Sequence, residues 1–273
     1  MSLKKAVVDW DSLGFDLLKT RSMYSANCRV GESWENGSLI PYGNIELSPA
    51  AVVLNYGQGV FEGTKAFQTS DGRIVLFRID KNAKRLAWST ERLCIPKVNP
   101  DFFIDAVFET VRDNLDFVPP YGKGSMYIRP IVWGVSPALG VGPATDYRFM
   151  IYVSPVGPYF KGDLKFLNLK IETNFHRAAS KGIGNAKAIG NYSASLSCSS
   201  MLHFWSYQYI STSGSVFGSR PTNSGIRTTL RGHNFANKNA YEVLYTLYRD
   251  FQGAAHGVSW TFSQATNIDA TFQ

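Results

Sequence analysis

Cysteine is scarce in this 273-residue chain. There are three, Cys28, Cys94 and Cys198, far apart and without a CxxC. That argues against a disulfide framework or a cysteine-rich zinc site and points to a reducing compartment. Charge is also sparse: 18% of residues are Asp, Glu, Lys or Arg, below the usual quarter. The net charge is +7, yet the basic residues are scattered and no run of five occurs. A scattered excess fits a mildly basic enzyme surface with small anionic substrates better than a nucleic-acid binder. No apolar segment follows Met1 to Lys5, so no secretory signal is expected. The longest uncharged stretch, Ala188 to Ser219, is full of Ser and Gly and reads poorly as a membrane span. The histidines, His176, His203, His233 and His256, are too dispersed for a metal site. Against these absences, 44% hydrophobic and 14% aromatic residues exclude a disordered or fibrous chain.

Several catalytic signatures are missing too. There is no GxxxxGKS/T, no HExxH and no GxSxG. Gly182-Ile183-Gly184 meets Lys187 where a dinucleotide fingerprint needs its third glycine.

The patterning is that of an α/β chain. A strand is expected over Arg73 to Arg78, after the turn at Asp71-Gly72. Asp80 stands as the expected N-cap of a helix over Asn82 to Leu93. Phe103, Ala106, Val107, Val111 and Leu115 recur at helical spacing within Phe102 to Leu115. Met126 to Val132 and Arg148 to Val153 read as buried strands, and Leu164 to Thr173 as another. Ser154-Pro155-Val156-Gly157-Pro158 reads as a break and a linker. The expected division is a domain over 1–155, a loop over 156–163, and a second domain over 164–273. After Lys187 the composition changes: residues 188–273 hold 5 basic and 3 acidic residues, against 23 and 18 before.

The informative segment surrounds Lys187. Small residues and glycines flank it from Gly182 to Gly190 and give a planar ligand room to reach its amine. A lysine amine becomes a nucleophile toward carbonyls when desolvation or a nearby cation lowers its pKa. Arg177 suits a phosphate, and Tyr192 suits a phenolate. On chemistry alone, a surface lysine in a loop is the commoner case.

Four segments resemble one family in the family's own order. They are Asn185 to Tyr192 around the lysine, Leu54 to Phe67 near the N-terminus, Tyr127-Ile128-Arg129-Pro130, and Ser154 to Phe160. The chain resembles, from about Asp9 to Leu196, the branched-chain amino acid aminotransferases of the fold-type IV pyridoxal-phosphate enzymes. The resemblance implies an α/β (α+β, two-domain) fold like that of D-amino acid aminotransferase. It implies pyridoxal 5'-phosphate as cofactor, carried on Lys187 as a Schiff base. Arg85 and Arg177 match the arginines at the cofactor phosphate, and Tyr192 the tyrosine at its phenolic oxygen. Tyr56, Phe61, Tyr127 and Tyr159 match an aromatic wall of the substrate pocket. Arg129 either meets the substrate carboxylate or pairs structurally. The implied reaction moves the amino group of Leu, Ile or Val to 2-oxoglutarate. A homodimer with no nucleic-acid or membrane partner is expected, in the cytoplasm, with mitochondrion and plastid open.

The sequence also departs from that family. The family has a glutamate downstream of the lysine that pairs with the pyridine nitrogen. Between Lys187 and Tyr241 this chain has no Asp or Glu, and Glu242 is the first. The expected C-terminal domain is therefore incomplete or rearranged after about residue 197, and two further readings stand beside the first. One is an inactive isoform or apo subunit. The other is D-amino acid transaminase or aminodeoxychorismate lyase.

Overall fold

The computed structural model describes residues 5–157, 168–172, 182–193, 196, 207–211 and 215–216. The chain divides into two compact units, Met1–Tyr159 and Phe160–Gln273.

The first unit is built on one antiparallel sheet. Its strands are β1 (Ser22–Arg29), β2 (Ser38–Pro41), β3 (Gly59–Phe61), β4 (Thr64–Gln68), β5 (Ile74–Leu76), β6 (Ser125–Gly134) and β7 (Asp146–Val156). The order is β2-β1-β7-β6-β4-β5, with β3 also paired to β6. A long β6–β7 pairing, from Ser125↔Val156 to Gly134↔Tyr147, forms the spine. β3 and β4 share one edge of β6: Phe61 opposes Ile131 and Thr64 opposes Ile128. Pro130 falls at the gap between them, where its missing N–H costs no ladder bond. There its carbonyl accepts from the Glu62 amide at 2.8 Å.

Helices cover one face of this sheet. α1 (Val52–Tyr56) is short; α2 (Ile79–Arg92) and α3 (Pro100–Asp113) are longer. In α2 the buried residues Ala83, Leu86, Ala87 and Thr90 follow the helical period. In α3, Phe103, Ala106, Val107, Thr110 and Val111 do the same. Asn99 caps α3 by accepting from the Asp101 amide at 2.8 Å, and Pro100 sits in the first turn. These helix faces meet Val60, Ala66, Met126, Ile128, Val132, Phe149 and Ile151 from the sheet in one core. Because side chains alternate across a strand, Tyr127, Arg129 and Trp133 of β6 lie on the opposite face.

Two local expectations are corrected. Asp80 is inside the first turn of α2, where its charge favours the helix dipole; the N-cap position is Arg78, in the left-handed region at φ 48°. Ser154, Pro155 and Val156 are not a break but the end of β7. The β1–β7 pairing stops at Ile151, so this end is a sheet edge, where a proline is tolerated.

The second unit contains β8 (Asn168–Glu172), β9 (Tyr207–Ser211) and β10 (Ser215–Val216). β8 and β9 are parallel, and β10 joins β9 antiparallel. A single helical turn, α4 (Gly190–Ser193), follows Lys187. Among the described residues no helix is long and apolar enough to cross a membrane.

Candidate functional site

Each unit carries one cluster of the expected residues. In the second unit a compact loop leads from Gly182 into α4. The Asn191 side chain donates to the Ile183 carbonyl at 3.0 Å and to the Ala186 carbonyl at 2.8 Å. The Ala186 amide closes a turn on Ile183, and the Asn191 amide one on Ala188. Ala186, Ala188 and Asn191 are buried, so the backbone on both sides of Lys187 is fixed. Lys187 is half-buried, and its Nζ donates to Tyr192 Oη at 3.0 Å. The five-residue separation lets the helical turn bring the phenol back over the amine. Sequence reasoning named both residues but not Asn191, whose role appears only once the turn is folded.

In the first unit, β3 and β6 bring Phe61, Tyr127 and Arg129 together. The Arg129 guanidinium lies 4.7 Å from the Phe61 ring centroid and 5.1 Å from that of Tyr127. Its Nη2 donates to Tyr127 Oη at 2.8 Å. Stacking on two rings holds the cation in place on this face. Phe15 meets Tyr127 edge-on at 5.6 Å between centroids. Gly63 lies against the same phenol: a Cβ there would stand 2.5 Å from Tyr127 Oη. Nearby on this face of β6, the Trp133 indole nitrogen is buried and has no acceptor among the described residues.

Arg85 stands elsewhere, on α2. Its Nε and Nη2 meet the Glu62 carboxylate at 2.6 and 2.7 Å. Glu62 is fully buried, and Asn82 also donates to it at 2.8 Å. The sequence reading missed Glu62, because no local pattern signals a pairing between a strand end and a helix 23 residues on. Tyr56 ends α1, and its hydroxyl donates to the Leu139 carbonyl. Tyr159 and Arg177 lie outside the described residues. Also missed was Lys65 on β4. It is half-buried, and desolvation pushes its pKa down to about 8. Among the described residues, no group of three or more His, Cys, Asp or Glu is placed to hold a metal ion.

The amine and phenol of the second unit suit a carbonyl compound with an adjacent phenolic oxygen. The aromatic, cationic face of the first suits a small carboxylate with an apolar body. No family model matches the chain. Relatives and solved structures do. Branched-chain amino acid aminotransferase 2, chloroplastic, from Humulus lupulus is 51% identical over 199 residues, covering 73% of this chain and 49% of the relative. The mitochondrial aminotransferase 1 of the same plant is 52% identical over 189 residues, covering 69% and 48%. The branched-chain amino acid aminotransferase of Escherichia coli superposes with a TM-score of 0.52 at 25% identity, covering 71% of this chain and 58% of its own. A crystal structure of another branched-chain amino acid aminotransferase, with pyridoxamine 5'-phosphate, superposes with a TM-score of 0.57 at 27% identity, covering 71% and 59%. The chain thus spans about half the length of the curated relatives it matches. Over the residues that align, the chain belongs to the branched-chain amino acid aminotransferase family.

Proposed function

We propose that this chain carries pyridoxal 5'-phosphate on Lys187 and serves amino transfer from leucine, isoleucine or valine to 2-oxoglutarate. The observation that carries the reading is the Lys187–Tyr192 pair, an amine held 3.0 Å from a phenol on a rigid, small-residue loop. The cofactor fits this donor set: its aldehyde takes an amine, and its phenolic oxygen takes a phenol's hydrogen bond. Arg85 and Arg177 are assigned to its phosphate. When bound, the cofactor supplies a carbonyl for amine exchange and a ring that withdraws electrons from the substrate's α-carbon.

The chain's own residues do the rest. The Lys187 amine binds the cofactor carbonyl and, once displaced, carries a proton at its Nζ. The Tyr192 hydroxyl orients that amine. Phe61 and Tyr127 give a substrate's apolar side chain a surface that discriminates by shape. Leu, Ile and Val differ there by a methylene or less, worth about 1–3 kcal/mol, so overlapping use is expected. Arg129 receives a carboxylate, and Tyr56 and Tyr159 are assigned to the same wall. We assign the residues up to Val156, the end of β7, to a small N-terminal α/β domain and 164–273 to a cofactor domain. A homodimer without nucleic-acid or membrane partners is the assembly we favour, in the cytosol or in an organelle such as those in its relatives' names.

A second reading rests on one observation: residues 188–240 hold no Asp or Glu. A chain without Asp or Glu over that stretch, where the family places the carboxylate of its cofactor cradle, takes up cofactor yet turns over slowly alone. The test is leucine-to-2-oxoglutarate amino transfer by the purified chain beside a full-length family member, with D-alanine and aminodeoxychorismate as comparison substrates. Transfer from branched-chain L-amino acids alone supports the first reading. Transfer only on adding the full-length member supports the second, and preference for D-alanine or aminodeoxychorismate contradicts both.

A further inference from the structure

One buried amide in the Lys187 loop has no part in the proposed chemistry. Asn191 is buried, and its Nδ2 donates twice, to the Ile183 carbonyl at 3.0 Å and to the Ala186 carbonyl at 2.8 Å. The Ala186 carbonyl belongs to the peptide group that joins Ala186 to Lys187, and that group is planar. Holding its oxygen fixes the plane that carries the Lys187 nitrogen and α-carbon. Asn191 is also the residue before Tyr192. A single side chain thus ties the start of the lysine to the start of the tyrosine.

Local backbone bonds close each half of the segment. Before the lysine, the Ala186 amide turns back on the Ile183 carbonyl at 2.9 Å. After it, the Asn191 and Tyr192 amides bond to the Ala188 and Ile189 carbonyls at 3.2 and 3.1 Å. The Asn191 side chain spans the two halves. The Lys187 Nζ lies 3.0 Å from Tyr192 Oη and 5.6 Å from the ring centroid, so it meets the oxygen-bearing edge of the phenol and not its face. That geometry depends on how the two halves of the loop are set against each other.

We infer that Asn191 is a positioning residue of the cofactor site: its amide nitrogen, by donating to two carbonyls at once, sets the distance and direction from the Lys187 amine to the Tyr192 phenol. The inference deepens the proposed function and rests on it. It also makes a demand that shape alone does not. The group at 191 must donate, because two carbonyl oxygens face it, and a carboxylate of nearly the same shape turns both contacts repulsive.

The test compares Asn191→Asp, Asn191→Ser and Asn191→Ala with the parent, each as the full chain with pyridoxal phosphate. The readouts are the equilibrium constant for cofactor uptake and the visible circular dichroism of the bound cofactor, which reports how it is held. At mildly alkaline pH, Asn191→Asp is expected to bind about tenfold more weakly than the parent and no better than Asn191→Ala, the loss that follows when a buried carbonyl is left without its donor. Acidification returns a proton to the Asp side chain. Its dichroism relative to the parent's should then recover, while that of Asn191→Ala does not. Asn191→Ser, a shorter donor, should retain more cofactor than Asn191→Ala, and this comparison carries the test if Asn191→Asp does not fold. In a Tyr192→Phe background the loss from Asn191→Ala should shrink to about threefold, because the partner being positioned is gone. Parental affinity and dichroism in Asn191→Asp overturn the inference while the proposed function stands. Equal uptake by Asn191→Ser and Asn191→Ala, or an undiminished loss beside Tyr192→Phe, overturns it as well. A parent chain that takes up no cofactor on Lys187 overturns the proposed function and this inference together.

Discussion

Glu62 and Arg85 form a two-point ion pair between the end of β3 and the middle of α2, at 2.6 and 2.7 Å, with the carboxylate wholly shielded from water. The pair ties the end of β3 to α2, the helix we assign to the cofactor phosphate. Removing one partner strands the other charge in the interior. Glu62→Ala is therefore expected to destabilise the chain by about 3–5 kcal/mol. Glu62→Ala combined with Arg85→Met should recover much of that loss. Urea denaturation of the two single variants and the double variant measures the coupling, and additive losses would show that the pair contributes nothing as a pair.

Gly63 is held against Tyr127 rather than in a glycine-only backbone conformation. An added Cβ would stand 2.5 Å from the hydroxyl and 3.2 Å from Cζ. Gly63→Ala is expected to cost about 1–3 kcal/mol and to displace the phenol from Arg129. Adding Tyr127→Phe removes the closest atom, so the double variant should be more stable than Gly63→Ala alone. Thermal denaturation of the three variants decides it; a double variant less stable than Gly63→Ala would contradict the contact.

The pKa of Lys65 fixes the sign of one pH effect. It is about 8 in the folded chain against an ordinary 10.5. Between those values the unfolded chain binds a proton at this lysine that the folded chain has released. Stability therefore rises as pH goes from about 8 to about 10.5, on the order of 1–3 kcal/mol after allowing for partial exposure. The groups on the same face of the neighbouring β6 are the Tyr127 phenol and the Arg129 guanidinium. Urea titrations at several pH values should show the rise in the parent and a flatter profile in Lys65→Met. Identical profiles would remove Lys65 as the source.

Much of this was legible in the sequence where the signal is local. The period of Phe103, Ala106, Val107 and Val111 marked α3, and apolar-rich runs marked β6 and β7. The Lys187 loop was legible because small residues, a lysine and a tyrosine five positions on belong to one short segment. Long-range pairing was not. Nothing near Glu62 announces Arg85, and nothing near Lys65 announces its distant cross-strand neighbour Tyr127, because register is set by the folded sheet. Pro155 misled for a related reason: a proline ends a strand unless it falls on an edge, and edges are a property of the sheet. Asp80 misled by two residues, since an acid just inside a helix and an acid at its cap look alike in sequence.

The most direct test of the central claim is the attachment of pyridoxal phosphate to the lysine. The purified chain is mixed with the cofactor, reduced with borohydride and digested, and the modified peptide is sequenced by mass spectrometry. A cofactor-derived mass on Lys187, lost in Lys187→Ala and retained with an altered absorbance in Tyr192→Phe, is the predicted result. Label spread over other lysines, or unchanged in Lys187→Ala, would contradict the account.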